Sequence, residues 1–400
     1  MKLFSSRVQR RLLPLYVASF FQWMTFWVAT EKLFMTEIGF DAAAIGLMAA
    51  VYAVFVPLIE IPSGILADRW SRKNVLIIAS VASIASALVG GLSYGVPAYF
   101  VSALILGIFF ALASGTFESV VYDTVLEEEK DSKSFEKSIG KVRLFSSIGG
   151  LIAAITGGLI ATALSPRATF FATIPAVAIS VWALWKFKEP QLHKSKVAES
   201  FTSQIAVTYK TILKRGKSLP IVAILVLTSM LVQVLLEFGQ LWLVELNTST
   251  ALYGLAFGGL TAALGFGGLL AGRIKFHKPL QLGLVIAALL LSSLAMVFVR
   301  DALVVSAAQI VIITLVIVIS VLFTRLMHDE IPSKIRSGVA SGVSAFAWMA
   351  FVPFSLLFGW ITDSLGVFRG GWMVLISAAI IAALLIKTAT AKDFKEQAAD

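Results

Sequence analysis

The sequence contains no cysteine and only three histidines, His193, His277 and His328, which lie far apart along the chain. The absence of cysteine excludes a disulfide framework, thiol catalysis and a metal site with cysteine ligands, and the scattered histidines argue against a histidine metal site. Charged residues are also scarce, at 14% of the chain, against roughly 25% in soluble domains. A surface that faces water cannot be built from this composition, so the lipid bilayer is the predicted solvent for most of the chain.

Two motifs for driving or catalysing reactions are missing as well. The sequence has no G-x-x-x-x-G-K-[ST] phosphate-binding loop and no H-E-x-x-H zinc motif, so it predicts neither ATP binding through a P-loop nor a zinc hydrolase. We therefore expect a protein that is not an enzyme, with no catalytic residues, no cofactor and no metal. Its driving force would be an ion gradient, the solute gradient or a partner.

Hydrophobic residues make up 58% of the chain, in runs that match the length of a spanning helix, about 20 residues. The N-terminal run has a basic start but no small-residue cleavage site, so it predicts a first spanning helix instead of a cleaved signal. The runs predict twelve transmembrane helices, over residues 12–30, 43–66, 74–93, 97–122, 144–164, 169–186, 219–244, 251–272, 279–299, 302–324, 338–361 and 371–387.

The basic residues are distributed unequally between the gaps that separate these helices. Alternate gaps, together with both termini, hold 29 of the 33 lysines and arginines, and the other gaps hold only Lys32, Arg167, Arg300 and Arg369. Basic loops stay on the cytoplasmic side of a membrane protein. The pattern therefore predicts that both termini are cytoplasmic, and it accounts for the net charge of +10 without a nucleic-acid partner.

The longest hydrophilic stretch lies near the middle of the chain and divides it into two halves. We predict six helices in residues 1–187, a cytoplasmic linker over 188–218, and six helices in 219–400. Apolar residues at helical spacing from Phe201 to Ile212 are compatible with an amphipathic helix on the inner leaflet or with a solvated linker. Residues 46–73 weakly resemble residues 254–278, as expected for a transporter built from internal repeats.

A conspicuous motif joins the second and third predicted helices, from Gly64 through Asp68 to Lys73. It resembles the signature loop of the major facilitator superfamily, G-x-L-A-D-R-x-G-R-K, and departs from it at Ser71, where glycine is usual. Residues 114–123, in the fourth helix, resemble a subset of bacterial members of that family. The resemblance implies a conformational latch between the two halves, made of Gly64, Asp68, Arg69, Arg72, Lys73 and Asp123, in which Asp123 pairs with Arg72.

The same resemblance implies an all-α fold in which two six-helix bundles enclose a central cavity, and secondary transport across the bacterial inner (plasma) membrane. The fifth helix, with its closely spaced glycines, is similar to the antiporter motif of the family. It lacks the proline of that motif, and the fourth helix lacks the usual arginine. These departures weaken an assignment to the antiporters.

Three carboxylates fall inside predicted helices, where an ionisable residue marks a functional site by default. They are Glu60, Glu118 and Glu237, and no lysine or arginine is predicted at mid-span to neutralise them. An acid in such a place can hold a proton and release it when water gains access. Each can equally be structural, as a brace for the signature loop in the case of Glu60 or as a neutral acid bonded between helices. The further predicted cavity residues are Gln22, Trp23, Gln233 and Gln240.

Carboxylates without basic partners favour cations or neutral amphipathic solutes over organic anions. The leading hypothesis is therefore proton-coupled export of hydrophobic or cationic compounds, with a small-molecule substrate, protons and the lipid bilayer as partners. The alternatives are uptake of a neutral metabolite by proton symport, and a non-transporting sensor or lipid-handling protein of the same fold. The oligomeric state is open at this stage.

Overall fold

The structure is a computed structural model that describes residues 6–130, 134–190, 219–271, 273–274, 276, 278–330 and 336–390. The helices before residue 190 are α1 (Arg7–Gln22), α2 (Glu31–Glu37), α3 (Ala42–Arg69), α4 (Arg72–Gly91), α5 (Val96–Ala113), α6 (Thr116–Glu129), α7 (Phe135–Ala163) and α8 (Pro166–Lys186). Those after residue 218 are α9 (Leu219–Phe238), α10 (Gln240–Glu245), α11 (Thr250–Ala271), α12 (Pro279–Phe298), α13 (Ala302–Glu330), α14 (Arg336–Leu365) and α15 (Val367–Thr390).

Twelve of the helical segments are long and apolar enough to cross a membrane, which confirms the predicted number of spans. Three spans are each made of two successive helices: α1 with α2, α5 with α6, and α9 with α10. The fold is all-α, as predicted. The amphipathic helix predicted between Phe201 and Ile212 lies outside the described residues.

The three divided spans were predicted as continuous helices, and this prediction was wrong. The first span is interrupted after Gln22 and continues through a short 3-10 helix at Phe26–Thr30. The fourth is interrupted at Gly115, whose φ of +67° suits glycine far better than any residue with a side chain. The seventh is interrupted at Gly239. Hydropathy follows apolar composition, which continues through each interruption, so it does not detect them.

The fifth span begins earlier than its apolar run. The run predicted a start at residue 144, whereas α7 begins at Phe135. Its first turns are rich in charge, but Ser138 and Val142 are buried and pack this segment onto its neighbours. Hydropathy alone therefore missed nine helical residues, and with them the helical position of Arg143.

The described residues form two compact units. The first consists of Met1–Phe40, Val54–Ala198 and Ser249–Gly258, and the second of Asp41–Ala53, Glu199–Thr248 and Gly259–Asp400, in each case as far as these residues are described. In the first unit α4 packs on α5 and α8, and α1 packs on α7 and α8; in the second, α13 packs on α9 and α12. The predicted division into 1–187 and 219–400 stays a prediction.

Glycines bring two pairs of helices into close contact, one pair within each unit. Gly158 of α7 lies against Gly254 of α11, and a Cβ placed on Gly254 would come within 2.6 Å of the Ala154 carbonyl oxygen. Gly46 of α3 lies against Gly359 of α14 in the same way. Small residues allow helix backbones to approach closely within the membrane. These contacts explain why the start of α3 belongs to the second unit and the start of α11 to the first.

Candidate functional site

The turn between α3 and α4 shows what serine does at the position where the signature motif has glycine. Ser71 is the N-cap of α4, in an extended conformation, and its hydroxyl oxygen accepts a hydrogen bond of 3.1 Å from the Asn74 backbone N–H. Serine is among the best N-cap residues because it satisfies an otherwise unpaired N–H of the first turn. The departure from the motif therefore replaces a flexible residue with a helix cap.

Arg72 and Asp123 form an ion pair between the start of α4 and α6. Both side chains are largely buried, with 16% and 18% of their surfaces exposed. The Arg72 guanidinium also lies 3.5 Å from the Ser119 carbonyl oxygen. This is the pair that the family resemblance implied. Gly64, Asp68 and Arg69 lie in the last turns of α3, and the surroundings of these three residues are outside what the structure describes.

Glu189 joins the start of the linker to the signature loop. Its carboxylate accepts hydrogen bonds from the Ser71 hydroxyl (2.6 Å) and from the Lys73 backbone N–H (3.2 Å). Lys73 in turn donates from Nζ to the Trp185 carbonyl oxygen, at 2.7 Å. A carboxylate at a helix N-terminus is stabilised by the free N–H groups and by the helix dipole.

Sequence reasoning missed Glu189. It is the single acidic residue between Lys186 and Glu199, in an otherwise basic stretch directly after a spanning helix, and that isolation is the signal that could have found it.

A second set of ion pairs lies close to the first. Arg11 of α1 contacts the carboxylates of Glu127 and Glu128 in α6, at 2.9 and 2.7 Å. Arg7 contacts Glu128 at 2.9 Å. The Arg11 guanidinium also approaches the backbone oxygen of Glu189, at 3.4 Å. The start of α1, the end of α6 and the start of the linker are thereby connected through charge.

Glu118 has a basic partner, so the expectation that none would neutralise it was wrong. Its carboxylate lies 2.7 Å from the Arg143 guanidinium, and the two side chains are 52% and 72% exposed. The early start of α7 is the reason, since it places Arg143 within the fifth span, beside α6.

Glu60 lies beside the interruption of the fourth span. The Ser114 hydroxyl donates a hydrogen bond to its carboxylate, and Ser114 ends α5 just before Gly115. The Ser63 hydroxyl lies 2.8 Å from the Ala111 carbonyl oxygen and holds the same two helices together. Among the described residues no lysine or arginine forms a salt bridge with Glu60.

Gln22 and Trp23 lie where the first span is interrupted. Gln22 is buried, and its Oε1 accepts hydrogen bonds from the Ser80 hydroxyl (2.6 Å) and the Ser180 hydroxyl (3.2 Å). Its Nε2 is also buried and has no hydrogen-bond partner among the described residues. Trp23, by contrast, is 44% exposed, and its ring meets the Phe110 ring edge-on, with the ring centroids 6.2 Å apart.

Glu237 and Gln233 lie half-buried on α9, and Gln240 is buried at the start of α10. The interruption at Gly239 separates Gln240 from the other two. Gln309 of α13 donates from Nε2 to the Gly239 carbonyl oxygen, at 3.0 Å. Sequence reasoning missed this contact, because nothing in the local pattern connects a glutamine of the tenth span to the seventh.

Lys32 was counted among the basic residues of the gaps between helices, and its position in the structure differs most from that prediction. It was assigned to an outer loop, but it lies in α2 and is fully buried. Its Nζ is 3.0 Å from the Glu31 carboxylate, and the Tyr99 hydroxyl donates to the same carboxylate at 2.8 Å. The first apolar run was taken to end at Thr30 because two charged residues follow it, although these two residues are paired and begin α2, which continues the same span.

Comparison with known proteins identifies the family. The model of the Major Facilitator Superfamily matches residues 12–350, whereas no curated protein matches the sequence. Among solved structures, the nucleoside transporter NupG is 16% identical, with a TM-score of 0.74 over 94% of this chain and 98% of that one.

Two further structures are similar in fold. The D-xylose-proton symporter is 16% identical, with a TM-score of 0.65 over 93% of this chain and 96% of its own. A POT family transporter in complex with 5-aminolevulinic acid is 13% identical, with a TM-score of 0.69 over 96% and 97%. Identities this low show the shared fold and not a shared substrate. With the family match over most of the chain and the twelve spans, they show that this protein is an integral membrane protein that belongs to the major facilitator superfamily of secondary transporters.

Proposed function

We propose that this transporter exports hydrophobic cations in exchange for protons, with Glu60 as the carboxylate that takes up the proton. The observation that carries the proposal is an aromatic–carboxylate surface in the first unit, made of Trp23, Phe110, Ser114 and Glu60. The Trp23 ring contacts Phe110, the Ser114 backbone N–H bonds to the Phe110 carbonyl oxygen at 2.9 Å, and the Ser114 hydroxyl bonds to Glu60.

This surface has the chemistry that a lipophilic cation requires. Trp23, Ser114 and Glu60 are exposed, so a solute can reach both an indole ring and a carboxylate. The face of an indole ring attracts cations, and an anionic carboxylate adds a full opposite charge. A hydrophobic cation would lie against the rings with its charge near Glu60.

Exchange of protons for cations follows if the Glu60 carboxylate binds either a proton or the cation, but not both. As an anion, Glu60 holds the cation; once it binds a proton it is neutral, and the attraction to the cation is lost. One proton bound on one side of the membrane therefore accompanies one cation released, and the group returns to its anionic form when the proton leaves on the other side. Glu118 is a weaker candidate because Arg143 already holds its charge. Glu237 stays a predicted cavity residue of the second unit.

The proposed test uses proteoliposomes with an imposed pH gradient and a panel of lipophilic cations and neutral solutes. We expect gradient-driven cation movement in the wild type and in Glu118→Gln, and its loss in Glu60→Gln. The Glu118 variant is a matched control because it removes a carboxylate from the neighbouring helix. Full gradient-driven movement in Glu60→Gln would contradict the assigned role of Glu60. Cation movement that never responds to the gradient would contradict proton coupling.

A second candidate function, uptake of a neutral polar metabolite by proton symport, is favoured by one observation. The buried Nε2 of Gln22 has no hydrogen-bond partner among the described residues, and an amide donor of this kind suits a hydroxyl or carbonyl oxygen of a solute. The same panel separates the two functions. Neutral-solute uptake with the gradient, lost in Gln22→Leu and kept in Glu60→Gln, would support symport over cation export.

We further propose that the latch set opens and closes as the transporter alternates. The Arg72–Asp123 pair, the Glu189 contacts and the Arg11 pairs support this role, because all of them join different elements at one end of the first unit. The excess of basic residues in the alternate gaps supports cytoplasmic termini, and the family resemblance supports a location in the bacterial plasma membrane.

A further inference from the structure

A cavity of about 470 Å³ lies in the second unit. It is at the end of the unit where the last helix begins, opposite to the end where that helix finishes. It is formed where α10, α12 and α14 end and α15 begins, and its lining includes Glu245, Phe298, Arg300, Phe368, Arg369 and Trp372. None of these residues belongs to the aromatic–carboxylate surface or to the latch set. The cavity therefore needs an explanation of its own.

Two arginines in one cavity are unexpected on this side of the protein. The predicted gaps on this side hold four basic residues, and because Lys32 is buried in α2, Arg300 and Arg369 are two of the remaining three. Among the described residues neither forms a salt bridge. Arg300 is held in place, since its guanidinium donates to the Val297 carbonyl oxygen at 2.8 Å and lies 3.4 Å from the centre of the Phe368 ring. Both guanidinium groups are exposed, and two of them without a carboxylate partner among the described residues are suited to an anion that arrives from outside the protein.

The rim of the cavity is apolar and exposed. Phe298 is 63% exposed and Trp372 is 40% exposed, and their rings meet edge-on with centroids 5.7 Å apart. Leu365, also on the lining, is 62% exposed. Exposed aromatic residues at helix ends are typical of the interface between the bilayer and water. A ligand with its anionic group on the arginines would therefore extend an apolar chain across these rings into the bilayer.

The charge of the cavity limits the anion. Glu245 lies on the lining together with the two arginines, which leaves one excess positive charge. This matches a monoanion, such as the phosphodiester of a lipid headgroup, better than a dianion. Basic pockets between membrane helices on the cytoplasmic side bind lipid headgroups, and two arginines offer a phosphodiester the same chemistry in the other leaflet.

We propose that this cavity is a binding site for an anionic phospholipid of the leaflet opposite to the basic loops. The phosphodiester binds to Arg300 and Arg369, and an acyl chain lies on Phe298 and Trp372. The site is separate from the transport pathway proposed above, so lipid binding tests this proposal independently of transport.

The test measures the quenching of tryptophan fluorescence by phosphatidylglycerol with brominated acyl chains, using the full-length protein in a neutral detergent. Subtracting the signal of Trp372→Phe isolates the contribution of Trp372. We expect saturable quenching by brominated phosphatidylglycerol, and about tenfold weaker apparent binding for each arginine that is changed to glutamine. The matched control is Arg167→Gln, which removes a basic residue of the same side from the first unit and should leave the quenching unchanged.

Three results would overturn the proposal. The first is unchanged quenching in the Arg300→Gln/Arg369→Gln variant. The second is equal binding of brominated phosphatidylcholine, which carries no net charge. The third is displacement of the lipid by inorganic phosphate as effectively as by unbrominated phosphatidylglycerol, which would show a site for a free anion. If the double variant does not purify, Arg369→Gln alone serves, because no hydrogen bond from that side chain holds the described fold together.

Discussion

The guanidinium of Arg72 pairs with the carboxylate of Asp123, and this contact joins the signature loop to the fourth span. The pair is largely buried, so its two charges are only partly compensated by water. Around it, Glu189 bonds to both Ser71 and Lys73. The first unit thus holds its signature loop by charge at two places, and only one of them belongs to the motif by which the family is recognised.

We expect Asp123→Asn to impair transport while leaving the amount of protein in the membrane largely unchanged. The Arg72→Asp/Asp123→Arg double variant restores the opposite charges and should recover part of the transport rate. A double-mutant cycle on thermal stability in detergent should give a coupling of roughly 0.5–3 kcal/mol between the two residues. Additive effects of the two single changes would show that the pair contributes nothing as a pair.

The helix cap at Ser71 yields a prediction that separates its capping of α4 from its contact with Glu189. Ser71→Ala should destabilise the protein by about 1 kcal/mol, because alanine cannot accept the Asn74 N–H, whereas Ser71→Gly should cost only a few tenths of that. The measurement is the free energy of unfolding in detergent, or the melting temperature as its proxy. Equal losses for glycine and alanine would point to the Glu189 contact instead of the cap.

Most of the fold could be predicted from the sequence, because the bilayer requires long apolar runs and the number of runs survives small errors at their ends. The interruptions at Gly115 and Gly239 could not be predicted in this way. Both lie inside continuous apolar runs, and one depends on a single backbone angle. The resemblance to the family came from a short charged motif, which is specific because charge is rare in this chain.

The site residues were harder to predict, because burial and pairing depend on partners that are distant in sequence. Glu118 illustrates the difficulty, since its partner Arg143 was placed in a loop. Lys32 shows the reverse error: a lysine counted as part of a loop is fully buried against Glu31. In both cases a charged residue was placed outside a span, whereas the span extends beyond it and the charge is paired.

The buried Glu31–Lys32 pair gives a third prediction. Lys32→Met should destabilise the protein by about 3–5 kcal/mol, because it leaves the Glu31 carboxylate without its cation in a buried place. Glu31→Gln/Lys32→Met removes both charges and should recover most of that loss. The comparison is made by thermal unfolding in detergent. A double variant as unstable as Lys32→Met would show that the packing of the lysine stem matters more than its charge.

The orientation of the chain can be tested directly because the protein has no cysteine of its own. Single cysteines at Tyr94, Leu164 and Ser249, which are all exposed, should react with an impermeant thiol reagent added outside the cell. Cysteines at Trp70 and Lys188, also exposed, should react only after the membrane is opened. The reverse pattern would invert the predicted topology and place the cavity of Arg300 in the cytoplasmic leaflet.

Two glycines of α11 offer a matched comparison for helix contact. Gly254 lies against Gly158, and a Cβ on it would come within 2.6 Å of a backbone oxygen, whereas a Cβ on Gly268 would meet nothing within 4 Å. Gly254→Ala must therefore push α11 away from α7, since a backbone atom cannot give way as a flexible side chain can. We expect Gly254→Ala to lower thermal stability and transport, and Gly268→Ala to leave both unchanged or to raise stability slightly through its higher helix propensity. Equal behaviour of the two variants would mean that the close contact between α7 and α11 contributes neither to stability nor to transport.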